Sequence, residues 1–251
     1  MRCVYDRDAP HSHHDGRVQV TGFREMLMTQ DAGCLQRDNA PTSARRPPMS
    51  LNLPFDLPEP QRIALESAYA TPPRAYHNFE HVREVLRHYV EASHGPGWTQ
   101  PAEVALAVLY HDAIYEAGRK DNETRSAQLA EEHIARFMPD RHIDVPRVTQ
   151  LIELTARHGV LEPNDVDEEA ALFLDCDMAI LGAEPTVFDA YDRGIAAEYR
   201  AVVPGWLFKI NRKRFLKSLL GRERIYLTPF FHQRLDASAR NNLRRAVTSK
   251  R

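Results

Sequence analysis

From about residue 50 onward, apolar residues return at every third or fourth position, and prolines and glycines interrupt the pattern between one such segment and the next. This is the spacing of helices that bury one face. Pro60 stands near the start of a short helix ending around Tyr69, after which Thr71-Pro72-Pro73 breaks the chain. Asn78 is a candidate N-cap for a helix carrying Val82, Val85, Leu86 and Tyr89, ended by Gly95-Pro96-Gly97. Pro101 opens a segment, residues 102 to about 115, that is apolar on nearly every side and therefore predicts a buried helix. Asp121-Asn122-Glu123 leads into a helix with Ala127, Ala130, Ile134 and Phe137, stopped by Pro139, and Pro146 suits the first position of a helix from 147 to 158 closed by Gly159. A mostly apolar stretch, EEAALFLDCDMAIL, runs to Gly182, and residues 185–202 carry the stripe Phe188, Tyr191, Ile195 and Tyr199. The basic segment LFKINRKRFLKSLL follows and ends at Gly221; residues 233–247 close the series with Leu235, Ala239, Leu243 and Val247. No segment shows the two-residue alternation of a strand, and no internal repeat is visible, so the expected fold is all-α, a bundle of about eight helices.

Composition adds boundaries to this picture. The 251 residues suit one domain plus a tail. Residues 1–48 lack either period and end in the Pro-rich, basic PTSARRPP, so they read as a disordered or loosely attached extension preceding a domain over 49–251. Met49, Met26 and Met28 are alternative starts, and the histidines at 11, 13 and 14 read as part of a solvated tail. With 33 basic against 35 acidic residues the net charge is −2, which speaks against a nucleic-acid polymer as partner. Cys3, Cys34 and Cys176 are too few and scattered for a disulfide framework and form no zinc motif. The longest apolar run, near Val104 to Tyr110, falls far short of the roughly 20 residues of a membrane span, and no secretory signal is present. The expectation is a cytoplasmic protein without a membrane partner, its oligomeric state open.

Chemistry enters at His111-Asp112, which follows the apolar run directly. An imidazole beside a carboxylate on a buried element needs compensation, and one divalent cation satisfies both. Two further features extend the pair. His77 and His81 stand four apart at the start of a predicted helix, and Asp175-Cys176-Asp177 lies in an otherwise apolar one. Asp177 has Phe173, Leu174, Ile180 and Leu181 three and four positions away; Asp175 has Ala171, Leu172, Met178 and Ala179, so periodicity leaves both as candidates. His81, His111, Asp112 and one of these aspartates make a nitrogen and oxygen donor set that suits Mn, Fe, Co, Zn or Mg.

The order His81, then His111-Asp112, then Asp177 resembles the HD-domain superfamily of metal-dependent phosphohydrolases, with Cys176-Asp177-Met178 similar to its final motif. YHNFEHV at 76–82, LYHDAIYEAGRKDNETRSA at 109–127, TARH at 155–158, LDCDMAILG at 174–182 and RIYLTPFFHQRLDASARNNL at 224–243 look like a small bacterial group of predicted phosphohydrolases within it. The resemblance covers about residues 55–247. It implies a small phosphorylated substrate, with nucleotides among the candidates, and a divalent cation held by His81, His111, Asp112 and Asp177, with Asp112 also orienting the nucleophile. Tyr76-His77-Asn78-x-x-His81 is also similar to the opening motif of cyclic-nucleotide phosphodiesterases, which makes His77 the candidate general acid. That second likeness ends after His111-Asp112, where Tyr115-Glu116-Ala117 replaces a further His-Pro-Gly.

Further candidates are Glu123, ahead of Glu116 and Asp121, as a base or as a water-mediated contact to a second metal, their other reading being solvated or capping groups, and His158 as a ligand to a second metal, its other reading being a charge suited to a helix C-terminus. Asn78, Arg212 and Lys213 are candidate substrate contacts, the last two from the basic run Lys209 to Arg224. Two alternatives stand beside the hydrolase: a di-iron HD-type oxygenase and a non-catalytic metal or nucleotide-binding module.

Overall fold

The structure, a computed structural model, describes residues 51–249. The N-terminal extension, its histidine tract, the alternative starts, Cys3 and Cys34 lie outside the described residues. Those described are all-helical, with no strand among them. Nine α-helices follow in order: α1 Glu59–Tyr69, α2 Phe79–Ser93, α3 Pro101–Tyr110, α4 Asn122–Phe137, α5 Val145–Leu154, α6 Glu168–Met178, α7 Pro185–Glu198, α8 Gly205–Gly221 and α9 Pro229–Thr248. Short 3-10 turns, Thr155–Arg157 and Ala179–Gly182, extend α5 and α6.

The helix starts follow the local chemistry. Asn78 caps α2 by accepting from the Glu80 amide, Asp167 caps α6 through Ala170, and Thr228 caps α9 through Phe231. Prolines occupy the first turns of α1, α3, α5, α7 and α9, where their missing N–H is of no consequence.

Helix α3 is the centre. Every residue from Glu103 to Tyr110 is buried, and α2, α4 and α5 pack around it, with α6 against α2 and α5. Truncating Leu106 or Leu109, both 0 % exposed, to alanine costs about 2–5 kcal/mol. Helix α9 packs on α8 and on the turn after α6, where Gly182 lets the elements close up: a Cβ there would stand 2.7 Å from that of Leu235.

One boundary differs in a way that matters for the site. The apolar pattern predicts a helix to about residue 115, but α3 stops at Tyr110, with His111 as its C-cap. The carbonyls at its end are taken by tertiary donors. Tyr69 Oη donates to Leu109 O at 3.0 Å, and the Arg74 guanidinium donates to Asp112 O and Ala113 O at 2.7 and 2.8 Å. With their acceptors satisfied across the fold, residues 111–113 turn away from the helix axis. The longer expectation followed the buried Ala113, which packs in the core without being helical. In the other direction, α9 begins at Pro229, four residues ahead of the predicted start.

No helix among the described residues is long and apolar enough to cross a membrane.

Candidate metal centre

Four side chains from three helices meet beside the end of α3. His81 comes from the first turn of α2, His111 and Asp112 from the C-cap of α3 and the residue after it, and Asp177 from the last turn of α6. His81 Nε2 lies 3.0 Å from His111 Nε2, 3.4 Å from Asp112 Oδ2 and 3.2 Å from Asp177 Oδ1. His111 Nε2 lies 3.2 Å from Asp112 Oδ2 and 3.6 Å from Asp177 Oδ1. His81, His111 and Asp177 form the metal-type cluster found among the described residues, and Asp112 stands outside that mutually close trio, against the two histidines.

These spacings can be tested against a cation. Bonds of about 2.1 Å to nitrogen and oxygen set adjacent ligand atoms about 3.0 Å apart at right angles and about 3.4 Å apart at the tetrahedral angle. The observed separations, 3.0 to 3.6 Å, span that range. The protonation pattern agrees. His111 Nδ1 donates to Val108 O at 2.9 Å, which leaves the lone pair of its neutral imidazole on Nε2, facing the cluster. Two carboxylates also balance the charge of a divalent ion. The residues fit such an ion, and a donor set of nitrogen and oxygen without sulfur accommodates Mn, Fe, Co, Zn or Mg.

Protein groups alone compensate the cluster through protons. Burial disfavours a charged His81, yet hydrogen bonds with Asp112 and Asp177 override it and push its pKa up to about 9. Burial would also raise both carboxyls. His111 and His77 beside Asp112, and His158 and His81 against Asp177, hold the two well below the usual carboxylate range.

Around the four donors lies a supporting layer. His158, the C-cap of the turn after α5, places Nδ1 2.9 Å from Asp177 Oδ2, an ion-pair contact. His77 is 1 % exposed and lies outside the four-donor group, its ring centroid 5.9 Å from that of His81. Its Nδ1 donates to Glu198 Oε2 at 2.7 Å, while Glu198 Oε1 accepts the amides of Tyr76 and His77. Tyr115 stacks on the His77 ring at 4.0 Å. Burial lowers the pKa of His77 against the pull of Asp112 and Glu198; Glu198 is itself held low, its hydrogen bond from His77 outweighing burial.

The two aspartates that periodicity left open face different ways. Asp175 is 1 % exposed and turns to the loop before α9, accepting from Leu227 N, Thr228 N and Thr228 Oγ1 at 2.7, 2.7 and 2.6 Å. It ties that loop down while Asp177 faces the histidines. Glu123 is buried in the first turn of α4 and is not among the clustered donors. Glu116 and Asp121 are engaged by Arg125 and Arg119. Asn78 is the α2 cap. Arg212 is 4 % exposed, paired with Asp192 at 3.0 Å and lying over the Tyr191 ring, and Lys213 donates to Ser249 O.

Glu198 and Arg74 escaped the sequence reading. Arg74 donates to His77 O as well as to Asp112 O, joining the backbones of two site segments. A charge next to Tyr199 and three residues after Ile195, on the apolar face of α7, was the available signal for Glu198. Arg74, in a proline-broken stretch, gave none.

Comparison with protein-family models, with curated proteins and with solved structures finds no match.

Proposed function

We propose that this protein is a metal-dependent phosphohydrolase acting on a small phosphorylated substrate. The observation that carries the proposal is the convergence of His81, His111 and Asp177 at cation-ligand spacing, with Asp112 beside both histidines. The resemblance of the same residues to the HD-domain superfamily supplies the reaction class. A divalent cation bound there supplies a Lewis-acid contact for a phosphoryl oxygen and a water acidified toward neutrality.

The chain's own groups do the rest. Val108 O fixes the His111 tautomer, and His158 pairs with the Asp177 carboxylate. Asp112 is held ionised, ready to accept a hydrogen bond from an attacking water. Glu198 locks Nδ1 of His77, so any proton that His77 transfers is carried on Nε2. Burial favours a resting imidazole that is neutral and unprotonated at Nε2, so His77 first takes up a proton there from solvent; the adjacent Glu198 stabilises that charged form, which then passes the proton to the leaving oxygen and returns to neutral.

The test begins with the metal content of purified protein and continues with nucleotides and other phosphoesters in the presence of Mn, Co, Mg, Zn or Fe. Asp112→Ala is expected to abolish turnover, and His77→Ala to lower it roughly 10²- to 10⁴-fold while cation binding persists. Turnover that survives Asp112→Ala overturns the assignment, and oxygen consumption by the iron form in place of phosphate release points to the oxygenase instead.

A further inference from the structure

A cavity of about 500 Å³ opens between the turn at residues 156–160 and one face of α8. From α8 it takes Asn211, Arg214, Phe215 and Ser218, positions i, i+3, i+4 and i+7 of a single helical stripe; from the turn it takes Arg157 and His158. No carboxylate lines it. The side chains of Arg157 and Arg214 make no hydrogen bond or ion pair with another described residue, so two arginines line one concave surface without an opposing charge. Such an arrangement is unfavourable in the empty protein and favourable around an anion.

The cavity also touches the metal centre. His158, 6 % exposed, lies in its wall with both ring nitrogens buried and outside hydrogen-bond geometry, Nδ1 at ion-pair distance, 2.9 Å, from Asp177 Oδ2 and Nε2 with no partner at all. A buried ring nitrogen without a partner is a site where a ligand atom is gained at little loss of hydration. The wall on this side is braced: Arg222 donates to Gly159 O at 2.9 Å and also to Leu161 O. A second cavity, of about 510 Å³ between α7 and α8, has cations too, but there Asp192 and Asp189 are paired with Arg212 and Arg245. Arg193, Arg200 and Lys209 also line that cavity, but it includes carboxylates and no residue of the metal centre or its supporting layer, whereas the cleft beside His158 has no carboxylate and reaches that layer.

We propose that this cleft is the substrate's anion subsite, in which Arg157 and Arg214 hold a phosphate group of a molecule up to mononucleotide size, against Phe215 and next to His158. The term substrate rests on the phosphohydrolase reading of the neighbouring cluster; the anion site rests on the cleft itself. Its volume falls within the roughly 300–1,000 Å³ of small-molecule sites.

The probe is inorganic phosphate, titrated calorimetrically into the full-length, metal-free protein, so that no cation can provide the binding. Saturable binding is expected, weakened roughly tenfold or more by Arg157→Glu and by Arg214→Glu. Lys217→Glu makes the same charge change on α8 outside the cleft and is expected to leave the affinity within about twofold of wild type. The three side chains are exposed, so the variants are expected to fold, as circular dichroism will show. Absence of saturable binding to wild type, or equal weakening by Arg214→Glu and Lys217→Glu, overturns the subsite. Manganese titrations of the same proteins separate the two proposals. Manganese binding without phosphate binding removes the cleft and leaves the metal centre; phosphate binding without manganese binding does the reverse.

Discussion

Replacing Asp175 by alanine separates the two aspartates of α6 more sharply than any other change. In the wild type its carboxyl oxygens accept two buried amides, Leu227 N and Thr228 N, and the Thr228 hydroxyl. That hydroxyl is also the α9 cap, accepting from Phe231 N at 3.4 Å, so it has little freedom to seek another acceptor. Each stranded buried amide costs about 1–3 kcal/mol, which places Asp175→Ala roughly 2–5 kcal/mol below wild type. At about 2–4 °C per kcal/mol for a domain of this size, the melting temperature falls by roughly 5–15 °C. Thermal melting followed at 222 nm reads that shift, and a manganese titration well below the melt is expected to find near-native affinity. Asp177→Ala is expected to do the opposite, abolishing the affinity with a smaller change in the melt. A melt of Asp175→Ala within about 2 °C of wild type, or a loss of affinity matching that of Asp177→Ala, refutes the division of labour. Burial pushes the Asp175 carboxyl up to about 7, so the stability that favours its protonated form is complete below its ordinary value of 3.8. It is lost as pH rises through about 7, and Asp175→Asn is expected to flatten that slope in melts taken from pH 4 to 8.

Cation affinity is expected to depend on pH through His81. Its pKa of about 9 in the metal-free protein means that a binding cation displaces a proton, so affinity rises by up to tenfold per pH unit from about 7 to 9 and then levels off. Calorimetry in buffers of different ionisation enthalpy counts the proton released, and no release at pH 7 contradicts the cluster's electrostatics. Glu198→Gln keeps an oxygen for the Tyr76 and His77 amides but removes the carboxylate from His77 Nδ1. Turnover is expected to fall roughly 10- to 100-fold with an altered pH profile and unchanged manganese affinity, whereas a purely structural role would leave the pH profile as it was. Arg74→Met removes the donor shared by His77 O, Asp112 O and Ala113 O, and is expected to lower stability by roughly 2–4 kcal/mol in urea melts and to weaken manganese binding as well.

The helices were legible because their chemistry is local. The cap at Asn78, the proline starts and the stripe of α7 are each settled within a few residues. The C-terminus of α3 was not, because what stops it is Tyr69 and Arg74, about 40 residues away in the chain. His81, His111 and Asp112 were visible as polar groups on apolar elements. The choice between Asp175 and Asp177 was invisible to periodicity, since both sit among apolar neighbours and only the position of the loop before α9 separates them. The basic helix shows the same limit. Arg212 and Lys213 were the expected phosphate contacts, yet Arg212 turns into the Asp192 pair, and a residue two positions on, Arg214, faces the cleft at His158. Composition revealed the charge of α8, whereas the phase of its packing decides which charges meet a ligand.

The way the backbone enters the centre favours a cation independently of its side chains. His111 caps the C-terminus of α3, His158 caps the turn that ends α5, and Asp177 lies in the last turn of α6. Three helical segments thus direct their C-terminal, carbonyl-rich ends to the same region, and each such end acts as a partial negative charge, contributing about 0.3–1 kcal/mol toward a neighbouring positive charge. Among the donors, His81 alone comes from a helix N-terminus. A site built to receive an anion at these four side chains would have the reverse orientation. The proposed anion subsite, lined by Arg157 and Arg214, shares His158 with the surroundings of the centre. His158 thus stands between carboxylates and helix ends on one side and the arginines of the cleft on the other. That order is what a phosphoester requires when its phosphoryl oxygens must lie between a metal and a basic clamp.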